Sequence, residues 1–112
     1  MTPEAKVKVK VRKILDLSDV YWYQPNAGMY GTSGIADFVG VVDSVPFQIE
    51  TKAGKGKMTA LQRKNAMHFQ NHGGVFFLID GTEVELLRLE VFLENPHLLS
   101  ARPPLILPLV DE

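Results

Sequence analysis

Asp37 stands in an otherwise apolar run, Ile35 to Asp43, and Glu50 and Lys52 stand at the end of the next run, Phe47 to Lys52. Both runs read as strands. Residues two apart in a strand share a face, so Glu50 and Lys52 point the same way. Asp43-Ser44 forms a turn between the strands, and a hairpin pairing brings Asp37 beside the other two. Two carboxylates that converge away from water need a cation. Hard divalent ions such as magnesium or manganese take oxygen ligands of this kind. A neighbouring lysine orients the attacking water, helps to take its proton, or stabilises charge on a phosphoryl group. Together these residues form a set suited to hydrolysing a phosphodiester.

Glu-x-Lys alone carries little information. Seven Glu and eight Lys give roughly half a match by chance in a chain this long, and Glu4-Ala5-Lys6 matches as well. The weight comes from context: an Asp inside a hydrophobic strand, a short hairpin, and the pair at the end of the following strand. A surface salt bridge between Asp37 and Lys52 on an ordinary hairpin fits the same residues.

The elements that must position this set follow from patterning. Thr2-Pro3-Glu4 reads as a helix start, with a Thr cap, Pro in the first turn and an early acid. The Lys-Val alternation from Lys6 to Val11 also fits a strand, but helical spacing aligns Glu4, Val7, Val11, Ile14 and Leu15 on one stripe. A helix is predicted over 3–16, with Glu4 on its core side. Val20 to Gln24 reads as a strand, followed by a glycine-rich loop to Gly34. After the hairpin and the Ala53 to Lys57 loop, a helix is predicted from Thr59 to His72, ended by Gly73-Gly74. Val75 to Ile79 reads as a buried strand. Asp80-Gly81 fits a hairpin turn and Thr82 to Glu85 fits a capping box; the expectation is a short strand near 84–88 and a helix over 89–94. The order predicts an α/β fold, a mixed β-sheet flanked by helices.

With 112 residues, 46% of them hydrophobic, a single domain over 1–112 is expected. There is no cysteine, which excludes disulfides and thiolate zinc sites and suits a reducing cytoplasm. No apolar run reaches membrane-span length. Met1 to Lys13 is basic without an apolar core, so no signal peptide is expected. The first 64 residues hold ten Lys and Arg against six Asp and Glu; the remainder hold two against seven. Such asymmetry suits a face that meets phosphates, although solvation alone also explains it.

The runs Gly34-Ile35-Ala36-Asp37-Phe38, Gln48-Ile49-Glu50-Thr51-Lys52 and Lys57-Met58-Thr59-Ala60-Leu61-Gln62 resemble the virus-type replication-repair nuclease family, VRR-NUC, of the PD-(D/E)xK superfamily. The resemblance covers roughly residues 2–95. Asp37, Glu50, Lys52 and Gln62 match the family pattern in order and spacing, and Glu4 matches its first-helix acid. Ala36 stands where the family usually has Pro. The resemblance implies a restriction-endonuclease-like core and a DNA endonuclease using Mg2+ or Mn2+. Asp37 and Glu50 would be metal ligands, with the Thr51 carbonyl as a further one. Lys52 would be catalytic, Gln62 would support Lys52 or the phosphate, and Glu4 would help from outside the metal shell. Stand-alone members resemble junction resolvases and act as homodimers, so branched DNA such as a four-way (Holliday) junction is the expected substrate, in DNA repair, within the cytoplasm (the host's, for a phage protein). A non-cleaving DNA-binding or interaction module of the same fold, and a sequence-specific restriction-type endonuclease, are the alternatives.

Gln62 also completes a Thr59-x-x-Gln62 capping box, but it shares a helix face with Leu61, Ala66 and Phe69. Lys55, Lys57, Arg63 and Lys64 follow the active-site strand as expected DNA-backbone contacts. Asn26 and Tyr30 are further loop residues that would approach DNA. His68 and His72 have the spacing of a helical metal pair, but without a third ligand they read as helix-end residues. Tyr21, Trp22 and Tyr23 read as a core strand rather than a base-stacking platform. The tail over 101–112 is apolar and proline-rich. It is expected to lie along a partner as a dimer interface, or to fold back over its own core.

Overall fold

The computed structural model describes residues 1–25 and 34–109. The first helix, α1, spans Pro3–Ser18. The Thr2 hydroxyl accepts the Ala5 N–H at 3.1 Å, and Asp19 closes the helix with a left-handed φ of 53°. The Lys-Val alternation is resolved by burial. Val7 and Val11 are buried, but Val9 is 42% exposed, as a 3.6-residue period requires and a two-residue period forbids.

Four strands follow: β1 Tyr21–Tyr23, β2 Phe38–Val42, β3 Val45–Thr51 and β4 Val75–Ile79. They form one mixed sheet in the order β1-β2-β3-β4. β1 and β3 run antiparallel to β2, and β4 runs parallel to β3. The β2–β3 turn places both Asp43 and Ser44 at positive φ, the type I′ geometry that matches strand twist. The parallel β3–β4 pair needs a crossover, which α2, Ala60–Asn71, supplies between its Thr59 and His72 caps.

The sheet separates two layers. On one side, Val7, Val11 and Leu15 of α1 and Leu89, Phe92 and Leu93 of the last helix pack on Phe38, Phe47, Ile49, Phe77 and Ile79. The alternate β4 residue, Phe76, faces the other way and packs with Ala66 of α2 and with Ala36. The chain is thus a compact α/β domain with a four-stranded mixed sheet flanked by helices. No helix among the described residues is long and apolar enough to cross a membrane.

The stretch after β4 corrects the expected strand at 84–88. One helix, α3, runs unbroken over Glu83–Glu94. Asp80 Oδ1 accepts the Thr82 N–H at 3.0 Å, and the Thr82 hydroxyl accepts the Glu85 N–H at 3.4 Å. Asp80-Gly81 therefore turns the chain into a capped helix rather than a hairpin, and Leu89, Phe92 and Leu93 fall at helical spacing.

A short 3-10 turn, Leu99–Ala101, precedes the tail. The tail folds back along α2 of its own chain. Gln70 exchanges two hydrogen bonds with the Ile106 backbone, at 3.0 and 3.1 Å, and Arg63 Nη1 donates to Leu107 O at 2.6 Å. Ile106 joins the Ala36–Ala66–Phe76 cluster, while Leu105, Leu107 and Leu109 remain exposed.

Gly40 marks the tightest approach within the sheet. A Cβ there would lie 2.3 Å from the Tyr21 carbonyl oxygen and 2.5 Å from the Phe47 ring. Neither the β1 backbone nor a fully buried ring has room to move. Gly40→Ala is expected to lower stability by about 1–3 kcal/mol in urea unfolding, the range for overpacked cores. An unchanged midpoint would show that β1 is free to separate from β2.

Candidate active site

Asp37 lies one residue before β2, where the chain enters the sheet. Gly34 opens this approach at a φ of 81°, and a Cβ there would meet Leu61 and Asn65 of α2 within 3 Å. Asn65 donates to Gly34 O at 2.9 Å, which fixes the approach against α2. Asp37 Oδ2 then accepts both the backbone N–H of Thr51, at 2.9 Å, and its hydroxyl, at 2.6 Å. Thr51 is fully buried, so one oxygen of Asp37 is rigidly held.

Glu50 sits on the α2 face of β3 and is only 3% exposed. Its Oε2 receives Lys52 Nζ at 3.3 Å and Gln62 Nε2 at 3.0 Å. Its Oε1 is buried and has no hydrogen-bond partner among the described residues. Burial, reinforced by the negative charge of Asp37 and weakly by that of Glu4, pushes the Glu50 carboxyl up to about 7; Lys52 pulls the other way.

Gln62 completes the expected capping box, and its amide nitrogen goes to Glu50 rather than to Lys52. Its Oε1 accepts the Thr59 N–H at 2.9 Å, and its backbone N–H donates to the Thr59 hydroxyl at 3.1 Å, completing the capping box. With Oε1 engaged on a donor, only Nε2 is left for the carboxylate, so the amide has one workable orientation. The helix cap thereby aims a donor at Glu50.

The backbone adds a potential ligand. The Lys52 N–H bonds to Ile79 O of β4 at 2.9 Å, so the Thr51 amide, one residue earlier, faces the β2 side. The Thr51 carbonyl points to the same side as its N–H, toward Asp37.

Other expectations are redistributed. The salt bridge between Asp37 and Lys52 does not form, because Lys52 turns to Glu50. Glu4 is at the rim rather than the core side, its side chain 45% exposed, and it reaches Asp37 only through Lys8. Lys8 is the residue that the sequence reading missed; its i, i+4 spacing from Glu4 was the available sign. Lys55, Lys57 and Lys64 are exposed, but Arg63 is turned to the tail. Trp22 packs on Phe38 as a core residue, whereas Tyr21 and Tyr23 are exposed, which corrects the core reading for those two. His68 and His72 lie together near the end of α2, apart from the carboxylates. Asn26 and Tyr30 lie outside the described residues. A cavity of about 560 Å³ runs beside α2 and Leu109, and none of the three carboxylates lines it.

Among the described residues no group of three or more His, Cys, Asp or Glu side chains is placed to hold a metal ion. A magnesium-like ion does not require one, since it keeps several waters and takes substrate oxygens besides one or two carboxylates. The unpartnered Glu50 Oε1, the neighbouring Asp37 and the Thr51 carbonyl are all-oxygen donors that fit such an ion. No family model matches the chain, and no curated protein does.

The raised Glu50 carboxyl has a pH signature. The folded protein holds this proton up to about 7, and the unfolded chain loses it near 4.5. Between these values the folded state binds more protons, so metal-free stability falls as pH rises. The loss through this window is about 3 kcal/mol, on the order of 1.4 kcal/mol per pKa unit. Glu50→Gln is expected to remove that decline in urea unfolding followed from pH 4.5 to 8. Parallel profiles for the two proteins would mean that Glu50 titrates as an ordinary solvated acid.

Proposed function

We propose that this chain is a divalent-metal-dependent DNA endonuclease with a restriction-endonuclease-like core, similar to VRR-NUC nucleases. The observation that carries the reading is the buried Glu50 carboxylate, with one oxygen held by Lys52 and Gln62 and the other unpartnered. An ordinary salt bridge has no need to bury an acid whose second oxygen lacks a donor, since such burial costs free energy. A cation site does.

Asp37, Glu50 and the Thr51 carbonyl would hold Mg2+ or Mn2+. When bound, the ion supplies positive charge to a phosphoryl oxygen and makes water a stronger nucleophile near neutral pH. In the reaction, the oxygen of a water forms the new bond to phosphorus. That water gives up a proton to solvent, the P–O bond to the leaving sugar oxygen breaks, and the leaving oxygen takes a proton from solvent. Lys52 holds the attacking water or the developing phosphoryl charge from the same strand face as Glu50. Gln62 keeps Glu50 in place. Branched DNA, including four-way junctions, is the proposed substrate, and a homodimer would supply two symmetric cuts. The exposed Lys55, Lys57 and Lys64 are the proposed backbone contacts, without Arg63.

A nicking assay on linear, flap and four-way DNA tests the chemistry. Cleavage is expected with Mg2+ or Mn2+ and none in excess chelator. Lys52→Ala should stay folded and lose roughly 100- to 1000-fold in rate, the usual cost of one preorganised transition-state group. Full cleavage in chelator would overturn the metal role, and binding without any cutting would favour the non-cleaving module.

The DNA footprint has its own test. Each phosphate contact releases counterions, so binding should weaken steeply with salt. Neutralising Lys55 and Lys57 together should flatten the log–log salt slope by about 2. Arg63→Ala should leave the slope alone and loosen the tail instead. A slope unchanged by the lysine pair would move the footprint elsewhere.

A further inference from the structure

Lys8 belongs to no motif, yet its ammonium stands at the carboxylate cluster. Nζ is 3.7 Å from Glu4 Oε2 and 3.5 Å from Asp37 Oδ1. Charge-assisted N–H···O bonds normally close to about 2.7–2.9 Å. Lys8 therefore sits between two acids and is bonded tightly to neither. Asp37 presents a contrast within one side chain: Oδ2 is locked by two donors from Thr51, while among the described residues Oδ1 faces only this loosely held ammonium.

The local charges explain why a cation stands there. Asp37 and Glu4 both act on Glu50 through their negative charge, and among the described residues Lys52 and Lys8 are the ammoniums paired with these carboxylates. A divalent ion taken up by Asp37 and Glu50 removes the need for Lys8 and repels its ammonium at the same time. Lys8 has somewhere to go. Glu4 lies one helical turn earlier on α1, in the favourable acid-before-base order, so the ammonium transfers its contact without unwinding the helix.

We propose that Lys8 is the resident counter-ion of the metal-free site, shared between Asp37 and Glu4, and that divalent metal displaces it wholly onto Glu4. The proposal rests on the metal site described under the proposed function. It makes Lys8 and Glu4 positioning residues that set metal affinity. Glu4 would act as the acceptor for the displaced lysine rather than as a ligand.

The experiment is a double-substitution cycle on the full chain, read by calorimetric titration with Mn2+ and by thermal unfolding in chelator and in saturating Mn2+. Lys8→Met should lower the Kd for Mn2+ about fivefold, the scale of one partly exposed ion pair. It should also lower the melting temperature in chelator but not in Mn2+. Glu4→Gln should weaken Mn2+ binding, and by much less when Lys8 is already Met, because the lysine is then no longer there to be received. Equal melting losses with and without metal would make Lys8 an ordinary structural ion pair and overturn the exchange. So would additive effects of the two substitutions, which are what simple through-space attraction by Glu4 gives. Wild-type protein that takes up no Mn2+ would remove the metal site itself, and the exchange with it. Uptake by the wild type that Lys8→Met leaves unchanged or weakens would remove the exchange alone.

Discussion

Burying an ionisable carboxyl is costly unless its oxygens find donors or a cation. Glu50 is placed under that constraint by the pleat of β3. Ile49 and Thr51 point into the α1–α3 core, so Glu50 must point to the opposite face, which α2 covers. The structure answers for one oxygen only. Lys52 comes from the same strand face two residues on, and Gln62 comes from the first turn of α2. The crossover between two parallel strands, which topology requires in any case, thus also delivers the amide that holds the acid.

The same constraint ties the site to the integrity of α2. The Gln62 amide is oriented because Thr59 occupies its oxygen, so the donor at Glu50 depends on the helix starting at Ala60. Gly34 admits α2 close to the approach to Asp37, and Asn65 bonds to the Gly34 carbonyl. Asp37 and Glu50 are 13 residues apart in the chain, yet both are set by contacts with α2 and β3. Three carboxylates and two ammoniums then share the site. With Glu50 protonated the cluster is neutral, and with Glu50 ionised it carries one excess negative charge. A proton on Glu50 removes that excess, and the divalent cation of the proposed function would be the alternative.

Much of this was legible in residue order. The boundaries of β4, the caps of α2 and the Asp43-Ser44 turn agree with the patterning, because each is specified locally by apolar runs, a capping box or turn chemistry. The stretch after β4 departs from its patterning because Asp80-Gly81 is a hairpin signature and the start of α3 exposes Val84 and Leu87, which blurs its helical stripe. Only the Asp80–Thr82–Glu85 hydrogen bonds decide between the two. The meeting of Glu50 with Lys52 and Gln62, beside Asp37, was readable from type and spacing. Lys8 was not, since its contact with Asp37 is between residues 29 positions apart on different elements. Apolar spacing marks the buried stripe of α1, and a lysine on its flank has the pattern of a solvent-facing residue.

The tail carries the same lesson on the other side of α2. Its composition announced that it must pack, but over 104–109 only Ile106 is turned inward. Ile106 goes in, beside Ala66 and Phe76, and Leu105, Leu107 and Leu109 are left out. What fixes the register is polar: Gln70 pairs with both backbone groups of Ile106, and Arg63 takes the next carbonyl. Arg63 and Gln62 are adjacent, and a helix turns 100° between neighbours, so one can face the tail while the other faces the carboxylate. A cationic side chain beside an acidic site looks, by charge alone, like a phosphate contact. Its geometry gives it to the tail, and the exposed positive charge that remains in this region is that of Lys55, Lys57 and Lys64.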